Sequence, residues 1–188
     1  MHRHTLNVKG AVTQQGVKLA MAVAHATHNQ NASGSVITPL SRTEETRKAF
    51  AQGADFSVPR DTTVIEFLGN QAWVDVIYAA AKSRDFDWAG YGRQYGYLAA
   101  LKEVIAPSVY DFLKEFIKTS FQLMINDDRF GVYVLVFAHS PFIELLADAF
   151  GCELPAIFPE MSYVDFLLYD DGQVEIDYWI CDHSQFIQ

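Results

Sequence analysis

Short runs of hydrophobic residues suited to β-strands occur in five places along the chain. The strongest is the near-continuous apolar run 131–138, which predicts a strand covered on both faces. The other runs, bounded by polar or turn residues, cover 35–38, 62–67, 163–169 and 174–180. The last two flank the sequence Asp-Asp-Gly-Gln at 170–173, a turn pattern that predicts a β-hairpin.

Between these runs, apolar residues recur three and four positions apart, which is the spacing of amphipathic helices. The predicted helices cover 14–28, 39–52, 71–83, 97–124 and 141–150. Thr13 precedes the first helix as an N-cap, and Pro39 fits the opening of the second. Pro107 falls inside the longest pattern and predicts a break in that helix at Ala106.

This alternation of strands and helices predicts one α/β domain over residues 1–188. The expected architecture is a three-layer sandwich with a mostly parallel central sheet, helices on both faces and an antiparallel C-terminal hairpin at the edge. A chain of 188 residues is long enough to bury a full core of this kind. The aromatic, glycine-rich segment 84–96 interrupts the pattern and is predicted to be a loop or insertion that could act as a lid.

Charge and composition narrow the classes of partner. The chain carries 14 basic and 23 acidic side chains, and the net charge of −9 argues against nucleic acid or an anionic membrane as the main partner. An anionic small substrate is still allowed, because local charge in a cleft can oppose the net charge. No apolar run resembles a signal peptide or approaches the ~18 residues of a membrane span, and Cys152 and Cys181 form no CxxC pair. These features predict a cytoplasmic protein, with a homodimer left open.

Arginine and histidine side chains cluster where the predicted strands end. His139 directly follows the strongest strand, and Arg42 lies in the first turn of the helix after the strand 35–38. Arg3 and His4 would stand at the end of a first strand. Because ligands of open α/β sheets bind at the carboxyl ends of the strands, these side chains are expected to meet. Histidine can attack phosphorus and arginine can hold phosphate oxygens, so the pattern predicts a phosphate-handling site.

Each of these residues also has a purely structural interpretation. His4 could belong to a terminal tail without a role, and His139 could be a core histidine with satisfied hydrogen bonds. Arg42 could lie on a solvated helix face. Glu66, at the end of the strand 62–67, is a candidate acid that could equally be a surface carboxylate. The other carboxylates that could serve in its place are Asp75, Asp85 and Asp87.

Four short motifs occur in an order that resembles the histidine phosphatase superfamily, which is phosphoglycerate-mutase-like. They cover 3–4, 12–16, 38–46 and 134–139. The resemblance implies that His4 is the nucleophile that becomes phosphohistidine. The transferred phosphoryl group would then be bound by Arg3, Arg42 and His139. Glu66 would donate a proton to the leaving oxygen and later act as a base for water. No metal or organic cofactor is implied.

The chain differs from the usual pattern of that family in three places. Thr5 replaces the glycine that usually follows the first histidine, and its hydroxyl could itself contact phosphate. Ser140 and Pro141 stand where glycine is frequent after the second histidine, and Ser140 is counted with the substrate-binding residues. The strand before the first histidine is shortened to Met1 and His2.

The function that the resemblance implies is hydrolysis of a phosphate monoester, with a small phosphorylated substrate and a phosphohistidine intermediate. A phosphomutase of the same fold is one alternative. A catalytically degraded module that binds a phosphorylated ligand or a protein is another. An unrelated α/β interaction protein would leave Arg42 and His139 far apart in space. The sequence does not distinguish a sugar phosphate, a phosphopeptide or a nucleotide as substrate.

Overall fold

Strands and helices alternate along the chain, as a computed structural model shows for residues 1–8, 10–27, 30–69, 71–127, 132–169, 171 and 173–186. The strands are β1 (His2–Arg3), β2 (Asn7–Val8), β3 (Ala11–Val12), β4 (Gly34–Ile37), β5 (Thr63–Val64), β6 (Val134–Ala138), β7 (Tyr163–Leu168) and β8 (Val174–Trp179). The helices are α1 (Gln14–Thr27), α2 (Ser41–Gly53), α3 (Gln71–Ser83), α4 (Trp88–Tyr95), α5 (Tyr97–Val104), α6 (Pro107–Ile125) and α7 (Phe142–Ala149). A 3-10 turn follows at His183–Gln185.

Six strands form one mixed sheet in the order β5-β4-β6-β1-β7-β8, and β2 and β3 form a separate small hairpin. The pairs β5–β4, β4–β6 and β6–β1 are parallel, whereas β1–β7 and β7–β8 are antiparallel. The carboxyl ends of the four parallel strands therefore meet at one edge of the sheet. This confirms the predicted fold class, including the antiparallel C-terminal hairpin.

Alternate residues of β6 enter two separate hydrophobic cores, as expected of a strand covered on both faces. Val136 and Ala138 belong to a core with residues of α3, α5, α6 and α7. Leu135 and Phe137 belong to the other core, with residues of α1 and α2. The near-continuous apolar sequence of this strand thus follows directly from its position between two helical layers.

The shortened first strand lies in the middle of the sheet. β1 pairs with β6 on one side and with β7 on the other. The His2 side chain is only 1% exposed. The ring centroids of Phe50, Tyr163 and Phe137 lie 4.8, 5.1 and 5.6 Å from that of His2. An imidazole is therefore packed among aromatic rings inside the sheet.

Most predicted elements are confirmed, and three differ from the prediction in kind, length or starting residue. The segment 84–96 was expected to be a loop, but it contains helix α4, because the Asp87 carboxylate caps the helix by accepting the Gly90 N–H at 2.9 Å. The predicted strand 62–67 is reduced to the two residues of β5 at the edge of the sheet. Helix α2 begins at Ser41, two residues after Pro39.

Some predicted features fall on residues outside those that the structure describes. They are His28 at the end of the first predicted helix, Gly131 at the start of the strongest strand, and Asp170 and Gly172 in the hairpin turn. The predicted break at Ala106 is confirmed, because α5 ends at Val104 and α6 begins at Pro107. Over the described part of the chain, no helix combines the length and the apolar character needed to cross a lipid bilayer.

Candidate active site

The register between β1 and β6 brings the two histidines to the same edge of the sheet. Arg3 lies opposite Ala138 in the parallel ladder, so His4 and His139 each follow directly after a paired residue. The His4 N–H donates to the Ala138 carbonyl at 2.9 Å. The centroids of the two imidazole rings are 6.2 Å apart. Two residues separated by most of the chain therefore face one shared space.

The hydrogen bonds of His4 define which ring nitrogen can react. Its Nδ1 lies 2.8 Å from the Thr5 carbonyl oxygen, and a carbonyl can only accept, so the proton resides on Nδ1. The other nitrogen, Nε2, therefore carries a free lone pair in the neutral ring. Burial, with the nearby charges of Arg3 and Arg42, lowers the pKa of His4 to about 3. His4 is thus a neutral, nucleophilic imidazole at neutral pH.

Arg3 is held rigidly beside this ring. Its guanidinium donates to the Phe158 carbonyl and to the Glu160 carboxylate, with an N–O distance of 3.3 Å for the latter. Its guanidinium carbon lies 5.5 Å from the centroid of the Tyr97 ring. The Nε of Arg3 has no hydrogen-bond partner among the described residues. The side chain is fixed at one end and retains donor capacity at the other.

Arg42 presents a positive charge that no carboxylate in the described part of the chain neutralises. It lies in the first turn of α2, and no carboxylate of the described residues lies within 4.0 Å of its guanidinium. Burial lowers the pKa of Arg42, and the charge of Arg3 lowers it further. By contrast, Arg47 on the same helix donates to Glu44 at 2.7 and 3.0 Å. An uncompensated cation in a cleft is a binding site for an anion.

His139 is almost completely buried, with 1% of its surface exposed. Its Nδ1 lies 3.4 Å from the Thr38 hydroxyl, while its Nε2 has no hydrogen-bond partner within the part of the chain that is described. Burial and the charges of Arg42, His4 and Arg3 lower the pKa of His139 well below 6.5. It is therefore a second neutral imidazole. Its Nε2 has no partner among the described residues, and buried polar atoms are rarely left without a hydrogen bond unless they have a function.

Gly69 allows this position of His139. Its φ angle is +111°, and a Cβ at this residue would lie 2.3 Å from Nε2 of His139. A real side chain essentially never comes so close to a ring nitrogen. Glycine is thus required here both for its backbone conformation and for the space that it leaves.

Gly69→Ala should therefore destabilise the fold more than Gly151→Ala. Gly151 also has a positive φ, +80°, but no heavy atom of the described residues lies within 4 Å of a Cβ placed there. The backbone penalty of about 1 kcal/mol applies to both substitutions. Overpacking against His139 should add about 1–3 kcal/mol at Gly69 alone. Urea unfolding of the two variants measures the difference, and equal losses would contradict the contact.

One cavity of about 650 Å³ joins these residues. Arg3, His4, Arg42 and His139 line its floor together with Ser140. Tyr78, Trp88 and Tyr97, from α3, α4 and α5, form an aromatic wall. Because Arg42 and His139 share this cavity, the interpretation as an unrelated fold with these residues far apart is wrong. Across the described ranges, no group of three or more His, Cys, Asp or Glu side chains could hold a metal ion.

Two residues predicted for substrate binding differ in their surroundings. Thr5 is completely buried, its hydroxyl donates to the Gly16 carbonyl at 2.8 Å, and it does not line the cavity. The Thr5 hydroxyl thus links the end of β1 to α1, and this geometry does not favour the expected contact with phosphate. Ser140 does line the cavity, and its hydroxyl donates to Glu144. Burial raises the pKa of the Glu144 carboxyl.

Glu66 lies outside the cavity. It is exposed and is not a lining residue, and its backbone carbonyl accepts the Gly69 N–H at 3.1 Å. The physical reason is its strand: β5 lies three positions from β1 in the sheet, which corresponds to roughly 14 Å at the usual strand spacing. None of the alternative aspartates lines the cavity either: Asp75, Asp85 and Asp87.

The carboxylate that does line the cavity is Glu160, which the sequence patterns did not single out. It lies three residues before β7, the antiparallel neighbour of β1. Because β7 runs against the parallel strands, the residues before it reach the same edge as the residues after β1 and β6. The hairpin prediction contained this signal, since a strand that is antiparallel to its neighbour begins at the edge where that neighbour ends.

Solved structures with the same fold cover nearly the whole chain. A phosphoglycerate mutase from Bacillus anthracis is similar with a TM-score of 0.65 and 13% identity, over 94% of this chain and 89% of that one. A mycobacterial glucosyl-3-phosphoglycerate phosphatase gives 0.60 and 15%, over 95% and 96%. The protein histidine phosphatase SixA, complexed with tungstate, gives 0.54 and 14%, over 98% and 96%. No protein-family model and no curated protein matches the sequence.

The chain thus has the same α/β fold as these phosphoglycerate mutase and phosphatase structures. At this level of identity the likeness establishes the fold alone, and a function has to be argued from the chemistry of the site.

Proposed function

We propose that this chain is a phosphatase that hydrolyses a phosphate monoester through a phosphohistidine intermediate on His4. The observation that carries the proposal is a neutral His4 in one cavity with Arg3, His139 and an Arg42 that has no carboxylate partner among the described residues. A nucleophile without charge, next to a cation that no carboxylate of the described residues compensates, suits attack on a phosphate dianion.

In this mechanism the two guanidinium groups bind oxygens of the phosphoryl group. Arg42 supplies a charge that no carboxylate within the described ranges offsets, and Arg3 is preorganised by its hydrogen bond to the Phe158 carbonyl. His139 adds a buried imidazole whose Nε2 is unused by the described residues. Because these groups are fixed before the substrate arrives, little reorganisation is needed as charge develops on the phosphoryl oxygens.

His4 then attacks phosphorus through Nε2, and the bond to the leaving oxygen breaks. The ring becomes cationic as it accepts the phosphoryl group. The hydrogen bond from Nδ1 to the Thr5 carbonyl strengthens in this state, because an imidazolium N–H is a better donor than a neutral one. Water next attacks the phosphohistidine, the P–N bond breaks, and inorganic phosphate and neutral His4 are released.

The experiment that tests this function is trapping of the phosphoenzyme. The wild-type protein is mixed with a monoester labelled at phosphorus, quenched within milliseconds and digested. We expect label on the peptide that contains His4, stable in alkali and lost in acid, together with steady release of inorganic phosphate.

The alternative functions give different results in the same experiment. Transfer of the label to an added glycerate or sugar phosphate, with little release to water, would indicate a phosphomutase. Tight binding of vanadate with neither label nor phosphate release would indicate a binding module and reject the proposal.

A further inference from the structure

We propose that Glu160 is the acid that protonates the leaving oxygen and then the base that activates water, an assignment that rests on the phosphohistidine mechanism proposed above. The reaction needs such a group, because an alkoxide leaves poorly without a proton. The family resemblance implied Glu66 for this role, but Glu66 does not line the cavity.

Glu160 is the acidic side chain among the described lining residues of the cavity, whose cationic members are Arg3, Arg42 and Arg93. It is half-buried, and its Oε1 lies 3.3 Å from a guanidinium nitrogen of Arg3. An oxygen of a phosphoryl group bound to Arg3 would therefore lie within a few ångströms of the carboxyl group. A carboxyl group in that position is close enough to the leaving oxygen of a bound monoester to exchange a proton with it, which is the role that the reaction requires.

The backbone on both sides of Glu160 is fixed. The Phe158 carbonyl accepts from the Arg3 side chain, and the Met161 N–H donates to the Arg3 carbonyl at 3.2 Å. The Glu160 carbonyl lies 2.9 Å from Nε2 of His183, which donates to it. A group that must transfer a proton to one particular oxygen requires this kind of fixed backbone.

Met161, the next residue, is held in an unusual conformation. Its φ angle is +64°, which non-glycine residues rarely adopt, and its side chain is completely buried. Such a conformation persists only where surrounding packing over-determines it, and it often occurs at functional sites. Here it turns the chain between the cavity edge and β7, with Glu160 at the edge.

The proton balance closes over one turnover. In the first step Nε2 of His4 forms a bond to phosphorus, the P–O bond to the leaving group breaks, and protonated Glu160 gives its proton to that oxygen. In the second step the Glu160 carboxylate takes a proton from water as the water oxygen attacks phosphorus. The P–N bond breaks, and its electron pair returns to His4. The sum is monoester plus water to alcohol plus phosphate, with Glu160 protonated again.

The test is the dependence of Glu160→Gln on the leaving group. Glutamine keeps an oxygen that can accept from Arg3 but cannot transfer a proton. For glycerol 2-phosphate, whose alkoxide needs a proton, kcat/KM should fall by about 10²–10⁴-fold. For 4-nitrophenyl phosphate, whose phenolate leaves unprotonated, kcat/KM should fall by less than about 10-fold. The kcat for 4-nitrophenyl phosphate should fall further, because hydrolysis of the phosphohistidine has lost its base. Nitrophenol should therefore appear in a burst equal to the enzyme concentration.

A matched control is Glu153→Gln, in the same connection before β7, where the side chain is exposed and does not line the cavity. Both substrates should be turned over as by wild type. Equal losses for the two substrates in Glu160→Gln would mean that the residue only positions Arg3, and would overturn the assignment. A leaving-group-dependent loss in Glu66→Gln instead would also overturn it. Absence of turnover in wild type would reject the proposed function itself, and Glu160 with it.

Discussion

Replacing His4 with asparagine should abolish turnover, with kcat/KM lower by at least about 10⁴-fold. Asparagine is neutral and can still donate to the Thr5 carbonyl, so the cavity should keep its shape and charge. It has no nucleophilic nitrogen, however, and the covalent route disappears with the imidazole. The measurement is the initial rate of phosphate release from 4-nitrophenyl phosphate by wild type and variant.

His25→Asn is the control for this experiment. His25 is exposed on α1, and its Nδ1 lies 2.6 Å from the Asp55 carboxylate. It does not line the cavity. We expect wild-type rates from it, since surface ion pairs of this kind contribute little. Comparable rates for His4→Asn and wild type would show that His4 is not the nucleophile and would reject the phosphohistidine mechanism.

Arg42→Met should lower kcat/KM by about 10³-fold without a loss of stability. The guanidinium is half-buried and has no carboxylate partner among the described residues, and burial lowers its pKa. A lowered pKa in a base means that folding disfavours its charged form, so the folded protein bears a cost for this cation in the absence of an anion. Methionine keeps much of the apolar stem and removes that cost. Urea unfolding and substrate kinetics together measure both effects.

Arg47→Met, on the same helix, should show the opposite pattern. Arg47 is 6% exposed, and its guanidinium is satisfied by Glu44 and by the Pro59 carbonyl at 3.1 Å. Its removal should cost about 2 kcal/mol, since it leaves the pair broken, while the folded enzyme should keep its kcat/KM. If Arg42→Met instead loses stability and retains activity, Arg42 is a structural residue and the anion site is wrong.

Much of the fold could be predicted from the sequence, because the signals for its helices and strands are local. The apolar run of β6, the helix pattern of α3 and the proline that opens α6 act through neighbours in the chain, and their elements appear where they were predicted. β5 was overestimated, because the length of an edge strand depends on its partner and not on its own β-branched residues. α4 was missed because its helical start depends on one cap, Asp87, within an aromatic and glycine-rich segment.

The residues of the candidate site also divide into those that could be predicted from the sequence and those whose orientation depends on packing. Residues that directly follow a strand of a parallel sheet must lie at its carboxyl edge, so His4, His139 and the nearby Arg42 could be grouped without coordinates. Which way a side chain turns after that edge depends on what packs around it. Thr5 turns towards α1, and Glu66 stays on the surface beyond an edge strand.

The chain by itself determined the alternation of strands and helices and the expected meeting of two distant histidines, because hydrophobic periodicity is local and residues that follow parallel strands lie at one edge of the sheet. Only the tertiary structure decided that Arg42 has no carboxylate beside it in the part of the chain that is described, that His4 is neutral with Nε2 free, and that Glu160 lines the cavity. Charge compensation, desolvation and the approach of an antiparallel strand depend on residues far apart in sequence, which no local pattern encodes.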